Sequence, residues 1–141
     1  MRILFFVSSL GRGGAERVVS EMANYWSRQG HDVALLTVSG SDVQDRYKLD
    51  LGVTRLFLDP VQSRFGRLRG LLSNLKRAIN VRSVVRNQKP DVIISFIVSC
   101  NILAIVGCVG LDKRLVVSER RNPHGDQYEN CLLYTSDAAD D

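Results

Sequence analysis

Two histidines and three cysteines are all that this 141-residue sequence offers to soft metal ions or thiol chemistry. Cys100, Cys108 and Cys131 lack the close pairing of a zinc site, and their odd number leaves a disulfide framework incomplete, so a reducing compartment and no bound metal are expected. His31 follows a helix stop and His124 lies in a loop without a visible partner, which gives neither a catalytic role. Paired carboxylates and a nucleophile elbow are also missing. Aromatic residues make up only 7% and are not interleaved with the basic ones, which removes the stacking platform of a single-strand binder; no nucleic-acid partner is expected. The apolar run after Arg2 is too short for the core of a secretory signal. Residues 92–111 carry no charge and are about long enough to span a bilayer, but Ser95, Ser99, Asn101, Gly107 and Gly110 interrupt them. A buried strand followed by a buried helix is the better expectation.

The most informative feature present is the turn Gly11-Arg12-Gly13-Gly14-Ala15-Glu16-Arg17, set between the apolar run Ile3-Leu4-Phe5-Phe6-Val7 and an amphipathic stretch at residues 18–26. A strand, a tight turn and a helix start make an anion site, because the first-turn amides have no intrahelical acceptor and the helix dipole favours negative charge. The glycines are expected to take positive φ and to admit a phosphate closely. Arg12 and Arg17 are candidates to clamp it, although Arg17 has the alternative of pairing with Glu21 four residues on. Glu16 stands where a dinucleotide fingerprint needs its third glycine. The second strand ends in Ser39-Gly40, with Asp42 the nearest acid, so a nicotinamide-dependent oxidoreductase is kept only as an alternative. No Lys-Ser or Lys-Thr follows the glycines, which excludes a Walker loop.

Periodicity predicts strands at residues 2–7, 33–38, 54–58, 92–96 and 114–118. The intervening helices are expected near residues 15–26, 68–85 and 97–107, the first two burying Ala15, Val18, Val19, Met22, Ala23 and Trp26, and Leu68, Leu71, Leu72, Leu75, Ala78, Ile79 and Val85. Alternation of this kind gives an α/β, Rossmann-like parallel sheet with helices on both faces and strand order 3-2-1-4-5. Ligands then bind outside the carboxyl ends of the strands, between the first and fourth. Residues 8–14, 95–99 and 118–122 meet there, and the last segment makes Ser118, Glu119 and Arg120 candidate substrate contacts.

Charge is uneven within a net +4: eight basic residues, from Arg64 to Lys89, are interrupted by no acid. Lys76, Arg77, Arg82 and Arg86 are the candidates for a membrane-facing basic helix, the alternatives being a solvated face or a non-catalytic basic module for nucleic acid or membrane. Residues 131–141, Cys-Leu-Leu-Tyr-Thr-Ser-Asp-Ala-Ala-Asp-Asp, share no periodicity with what precedes them and resemble translated sequencing-adapter sequence. The expected organisation is therefore an incomplete Rossmann-like domain at residues 1–130 and a non-native tail.

Arg2-Ile3-Leu4-Phe5-Phe6-Val7 followed by Gly13-Gly14-Ala15-Glu16-Arg17-Val18-Val19 resembles the start of family 4 glycosyltransferases. Gly30-His31-Asp32-Val33, Lys89-Pro90-Asp91-Val92-Ile93, and Ser118-Glu119-Arg120 with Asn122-Pro123 extend the resemblance across residues 1–123. It implies a retaining enzyme of GT-B architecture, two Rossmann-like halves across a cleft, that moves a sugar from a nucleotide-sugar donor to a glycan or lipid-linked acceptor in cell-surface glycan synthesis. This chain resembles the N-terminal, acceptor-side half. The resemblance places Gly13 and Gly14 against the donor diphosphate and Arg120 where many members have a histidine near the reacting sugar. The family's nucleotide pocket, with an E-x7-E glutamate pair, lies in a C-terminal domain outside this sequence, so the chain alone is expected to be inactive. A cytoplasmic location, peripheral at the inner face of the cell membrane, is expected.

Overall fold

A computed structural model describes residues 1–39, 45–58 and 67–119, with the side chains of 67–71 excepted. Asp42, Arg120, His124 and residues 131–141 lie outside the described residues. In chain order the elements are β1 (Arg2–Val7), α1 (Gly14–Arg28), β2 (Asp32–Thr37), β3 (Val53–Phe57), α2 (Arg67–Gln88), β4 (Val92–Phe96), α3 (Val98–Cys108) and β5 (Arg114–Ser118). All strand pairings are parallel, and the order β3-β2-β1-β4-β5 is the expected one. The register aligns Phe5 with both Leu35 and Ile94, which keeps the apolar runs of the three inner strands level.

Alternating residues of those strands feed two cores. Ile3, Phe5, Val7, Val33, Leu35 and Phe96 pack with Val19 and Ala23 of α1. On the other face Leu4, Phe6, Leu36 and Ile93 pack with Ala78, Val81 and Val85 of α2 and with Cys100, Leu103 and Ala104 of α3. Each fully buried Leu, Phe or Val side chain contributes roughly 1.5–3 kcal/mol, so the sheet is held from both sides. The uncharged run at residues 92–111 becomes β4 and the 11-residue α3; among the described residues no helix is long and apolar enough to cross a membrane.

One expectation about burial fails in part. On α2 the expected burial holds at Ala78 and Val85, joined by Ser73 and Val81, but Leu72, Leu75 and Ile79 are exposed; the side chains of Leu68 and Leu71 lie outside those described. The reason is close approach to α3: a Cβ on Gly107 would meet the Ala78 carbonyl oxygen at 3.0 Å and the Val81 side chain at 3.1 Å, so small residues occupy the seam and the large ones face outward. Helices cover both faces of the sheet, and β5 is an edge strand on which, among the described residues, Val116 and Val117 are about half exposed.

Candidate functional site

The carboxyl edge of the sheet gathers the chain after β1, the β4–α3 junction and the end of β5. The post-β1 segment is fastened first. Val38 and Ser39 donate backbone N–H groups to the Ser8 carbonyl at 3.1 and 2.9 Å, Leu10 is wholly buried, and its carbonyl accepts from the Arg46 N–H at 2.9 Å. Gly13 is the N-cap of α1; its carbonyl accepts the first helical bond, from Arg17 N–H at 3.3 Å, and a second from the Tyr47 hydroxyl at 3.1 Å.

Positive φ is not how these glycines work. Gly13 is extended, and among the described glycines only Gly30 and Gly110 have positive φ. Their contribution is the missing side chain. Among the described residues no side chain caps α1 and a Cβ on Gly14 would have nothing within 4 Å, so none of them closes the helix start. A Cβ on Gly13 would run into the Glu16 carboxylate, which folds back over the N-cap and complements the dipole, as its first-turn position suggests.

The candidate side chains divide. Arg12 is exposed and makes no hydrogen bond or ion pair with another described residue. Arg17 is engaged: its Nε donates to Glu21 Oε1 at 2.8 Å, and this bond, with the carboxylate's charge, raises the guanidinium pKa above its ordinary value. The pair is solvent-exposed and therefore weak, so it is separable from the turn. At the end of β5 the Ser118 carbonyl accepts from Ile97 N–H at 3.3 Å and from Asn101 Nδ2 at 3.2 Å. Ser118 is thereby tied to the β4–α3 junction, and exposed Glu119 follows it. Ile97 pays for this geometry with φ of 74°, a strained value for a β-branched residue. Arg120, the third expected contact, lies beyond the described residues.

Lys76 and Arg86 are exposed, Arg77 is half-buried and donates to Asn74 Oδ1 at 3.4 Å, and Arg82 is turned inward. Its Nη1 donates to the carbonyls of Gly107 at 3.3 Å and Val109 at 2.6 Å, holding the C-terminus of α3, which corrects its expected lipid-facing role.

Residues not singled out from sequence support the turn from behind. Arg55 grips Asp45 through two bonds, Nε to Oδ2 at 2.9 Å and Nη2 to Oδ1 at 3.1 Å, both side chains largely shielded. Asp45 leads directly into Arg46 and Tyr47, which bond Leu10 and Gly13. Asn24 accepts from Asp50 N–H at 2.8 Å and donates to the Lys48 carbonyl at 3.0 Å, laying the same strap along α1. Nothing in local periodicity marks these partners; Asn101, a lone amide in an apolar helix, is the one that carried a signal. Among the described residues no group of His, Cys, Asp or Glu could hold a metal ion.

Comparison with known proteins agrees with this arrangement. The C-terminal domain of a hydrogenase from Pyrococcus furiosus superposes with a TM-score of 0.57 at 17% identity, covering 83% of this chain and 90% of that one, a likeness of fold alone. The GalNAc-alpha-(1->4)-GalNAc-alpha-(1->3)-diNAcBac-PP-undecaprenol alpha-1,4-N-acetyl-D-galactosaminyltransferase of Campylobacter jejuni is 32% identical over 123 residues, 86% of this chain. The chain spans 33% of that relative's length. The profile of Glycosyltransferase Family 4 matches residues 12–130. With its glycine turn at the head of α1 and its parallel sheet in 3-2-1-4-5 order, this chain belongs to glycosyltransferase family 4.

Proposed function

We propose that this chain forms the acceptor-side half of a retaining, GT-B-type glycosyltransferase that moves a sugar from a nucleotide-sugar donor to a glycan or lipid-linked acceptor in cell-surface glycoconjugate synthesis. One observation carries the reading: the start of α1, uncapped and open at Gly14 among the described residues, stands at the carboxyl end of β1, beside the switch to β4. In such a transfer the hard step is departure of the nucleoside diphosphate, and amides fixed before the reaction stabilise that charge without reorganising. Gly13 and Gly14 supply the close approach to the diphosphate, and Arg12, without a partner among the described residues, is a cation available to join it. Ser118, Glu119 and Arg120 border the acceptor side. Arg17 stays on Glu21 unless a ligand draws it away. The lipid-linked acceptor of the Campylobacter relative supports the same acceptor class here, with a peripheral contact at the inner face of an anionic membrane. Residues 131–141 take no part in this assignment.

The test is a titration of the isotope-labelled chain with inorganic pyrophosphate, followed by amide NMR. The amides of residues 13–17 shift with saturation, those at the opposite sheet edge do not, and the chain alone turns over no nucleotide-sugar. Unmoved glycine-turn amides, or robust turnover by the chain alone, would overturn the assignment.

A further inference from the structure

Two buried side-chain atoms, Ser95 Oγ and Asn101 Oδ1, have no hydrogen-bond partner among the described residues. Ser95 is wholly buried and Asn101 is 8% exposed. Buried polar atoms are almost always paired, because an orphaned one has lost its water without replacement, so each of these two calls for a partner. Both lie at the β4–α3 junction. Ser95 is the last residue but one of β4, and strand alternation puts its side chain on the same face as Ile93, the face that α3 covers. Asn101 ends the first turn of α3, where side chains lean back toward the helix N-terminus. Its Nδ2 donates to the Ser118 carbonyl, which also accepts from Ile97 N–H, and this bond fixes the way the amide faces, because a carbonyl accepts and does not donate. Oδ1, on the other arm of the same planar group, is thereby held at the start of α3.

The helix start adds donors: among the described residues no side chain caps α3, and first-turn amides have no intrahelical acceptor. Residues 97–99 and Ser118 are only half-buried, so the described residues around the junction do not seal it. Burial raises the pKa of the Cys100 thiol and the charge of Glu16 adds to it, so the carboxylate that folds over Gly13 lies near this turn. These groups select the chemistry of the missing partner. A phosphate or carboxylate, itself only an acceptor, leaves Oδ1 orphaned and faces the Glu16 charge. An ammonium suits Oδ1 but opposes the amide donors of the helix start. A hydroxyl meets every group, since its O–H donates to Oδ1 while its oxygen accepts from Ser95 or from an amide. We infer that the first turn of α3, with Asn101 Oδ1 and Ser95 Oγ, is a subsite for hydroxyl groups of the acceptor sugar. This rests on the transferase reading and deepens it: the glycine turn takes an anion, and the junction beside Ser118 takes a neutral sugar.

The test is NMR of the isotope-labelled chain titrated with the methyl α-glycosides of glucose, galactose and N-acetylgalactosamine. At least one of them shifts the Asn101 Nδ2 protons and the amides of residues 98–101 with saturation, and pyrophosphate does not compete with it for these signals. Ser95→Ala weakens that glycoside about three- to tenfold, the loss of one neutral hydrogen bond, yet keeps or raises the urea midpoint, because the hydroxyl it removes has no partner among the described residues. A Ser95→Ala protein that binds the glycoside like the parent overturns the inference. So does a set of junction signals that none of the three glycosides moves, with the Asn101 Nδ2 protons beside a long-lived internal water, which assigns the two atoms to that water alone. The probes are independent of each other: shifts at residues 13–17 with pyrophosphate and no glycoside response sink only this inference, whereas glycoside binding at residues 98–101 with an unmoved glycine turn sinks only the diphosphate assignment.

Discussion

Replacing Gly14 by alanine separates a glycine kept for the fold from one kept for a ligand. Gly14 begins α1, has no positive φ, and a methyl group there would touch nothing within 4 Å. The fold therefore has no objection, and exchanging glycine for alanine in a helix contributes up to about 1 kcal/mol, less in the first turn. Gly14→Ala is expected to hold or raise the urea midpoint by a few tenths of a kcal/mol. In the proposed site the same methyl group lies where a phosphate would approach the first-turn amides. Losing one charge-assisted hydrogen bond costs about 1.5–3 kcal/mol, so pyrophosphate affinity is expected to fall roughly tenfold or more. Gly13→Ala is the counterpart: alanine is a poor N-cap and its Cβ displaces the Glu16 carboxylate, which costs about 1 kcal/mol of stability as well as affinity. Urea melts and the pyrophosphate titration on both variants decide the matter. A Gly14→Ala protein that loses more than about 1 kcal/mol, or that binds pyrophosphate like the parent, would refute the idea that open space at residue 14 is reserved for a ligand.

Gly107→Ala acts in the opposite sense: its methyl group meets the Ala78 carbonyl at 3.0 Å, backbone that cannot swing aside, so overpacking of about 1–3 kcal/mol exceeds the helix-propensity gain and the urea midpoint falls. Asp91 accepts the Arg2 backbone N–H at 2.7 Å, and this bond, ahead of the nearby positive charges, holds its carboxyl below the usual range. The stability it lends is present above the unfolded pKa of about 4 and is lost as pH falls through the lower folded value; Asp91→Asn is expected to narrow the gap between urea midpoints at pH 7 and pH 3. Burial pushes the Cys100 thiol up to about 12, so iodoacetamide at pH 8 should modify it only after unfolding, as mass spectrometry of native and urea-treated protein will read. Modification in the native protein at a free-thiol rate would contradict its place beneath the sheet.

The strand order, the two-sided burial of the inner strands and the location of the glycine turn followed from the sequence because each is a local pattern. Runs such as Val33-Ala34-Leu35-Leu36 have nowhere to go but a covered parallel strand, and a helix start after a strand leaves its amides free whatever else the chain does. Family membership was legible for the same reason, in the string from Gly13 to Val19. Tertiary structure alone decided the rest. Which face of α2 is buried depended on how near α3 comes at Gly107, a distance that no periodicity of α2 encodes, and so leucines counted toward the core stand outside it. Arg82 was a surface charge by sequence and became the clasp of α3 because two carbonyls lie within its reach. Tyr47 and Asn101 hold the carboxyl edge of the sheet through partners 34 and 17 residues away, and bonds over such separations exist only once the sheet has brought their ends together.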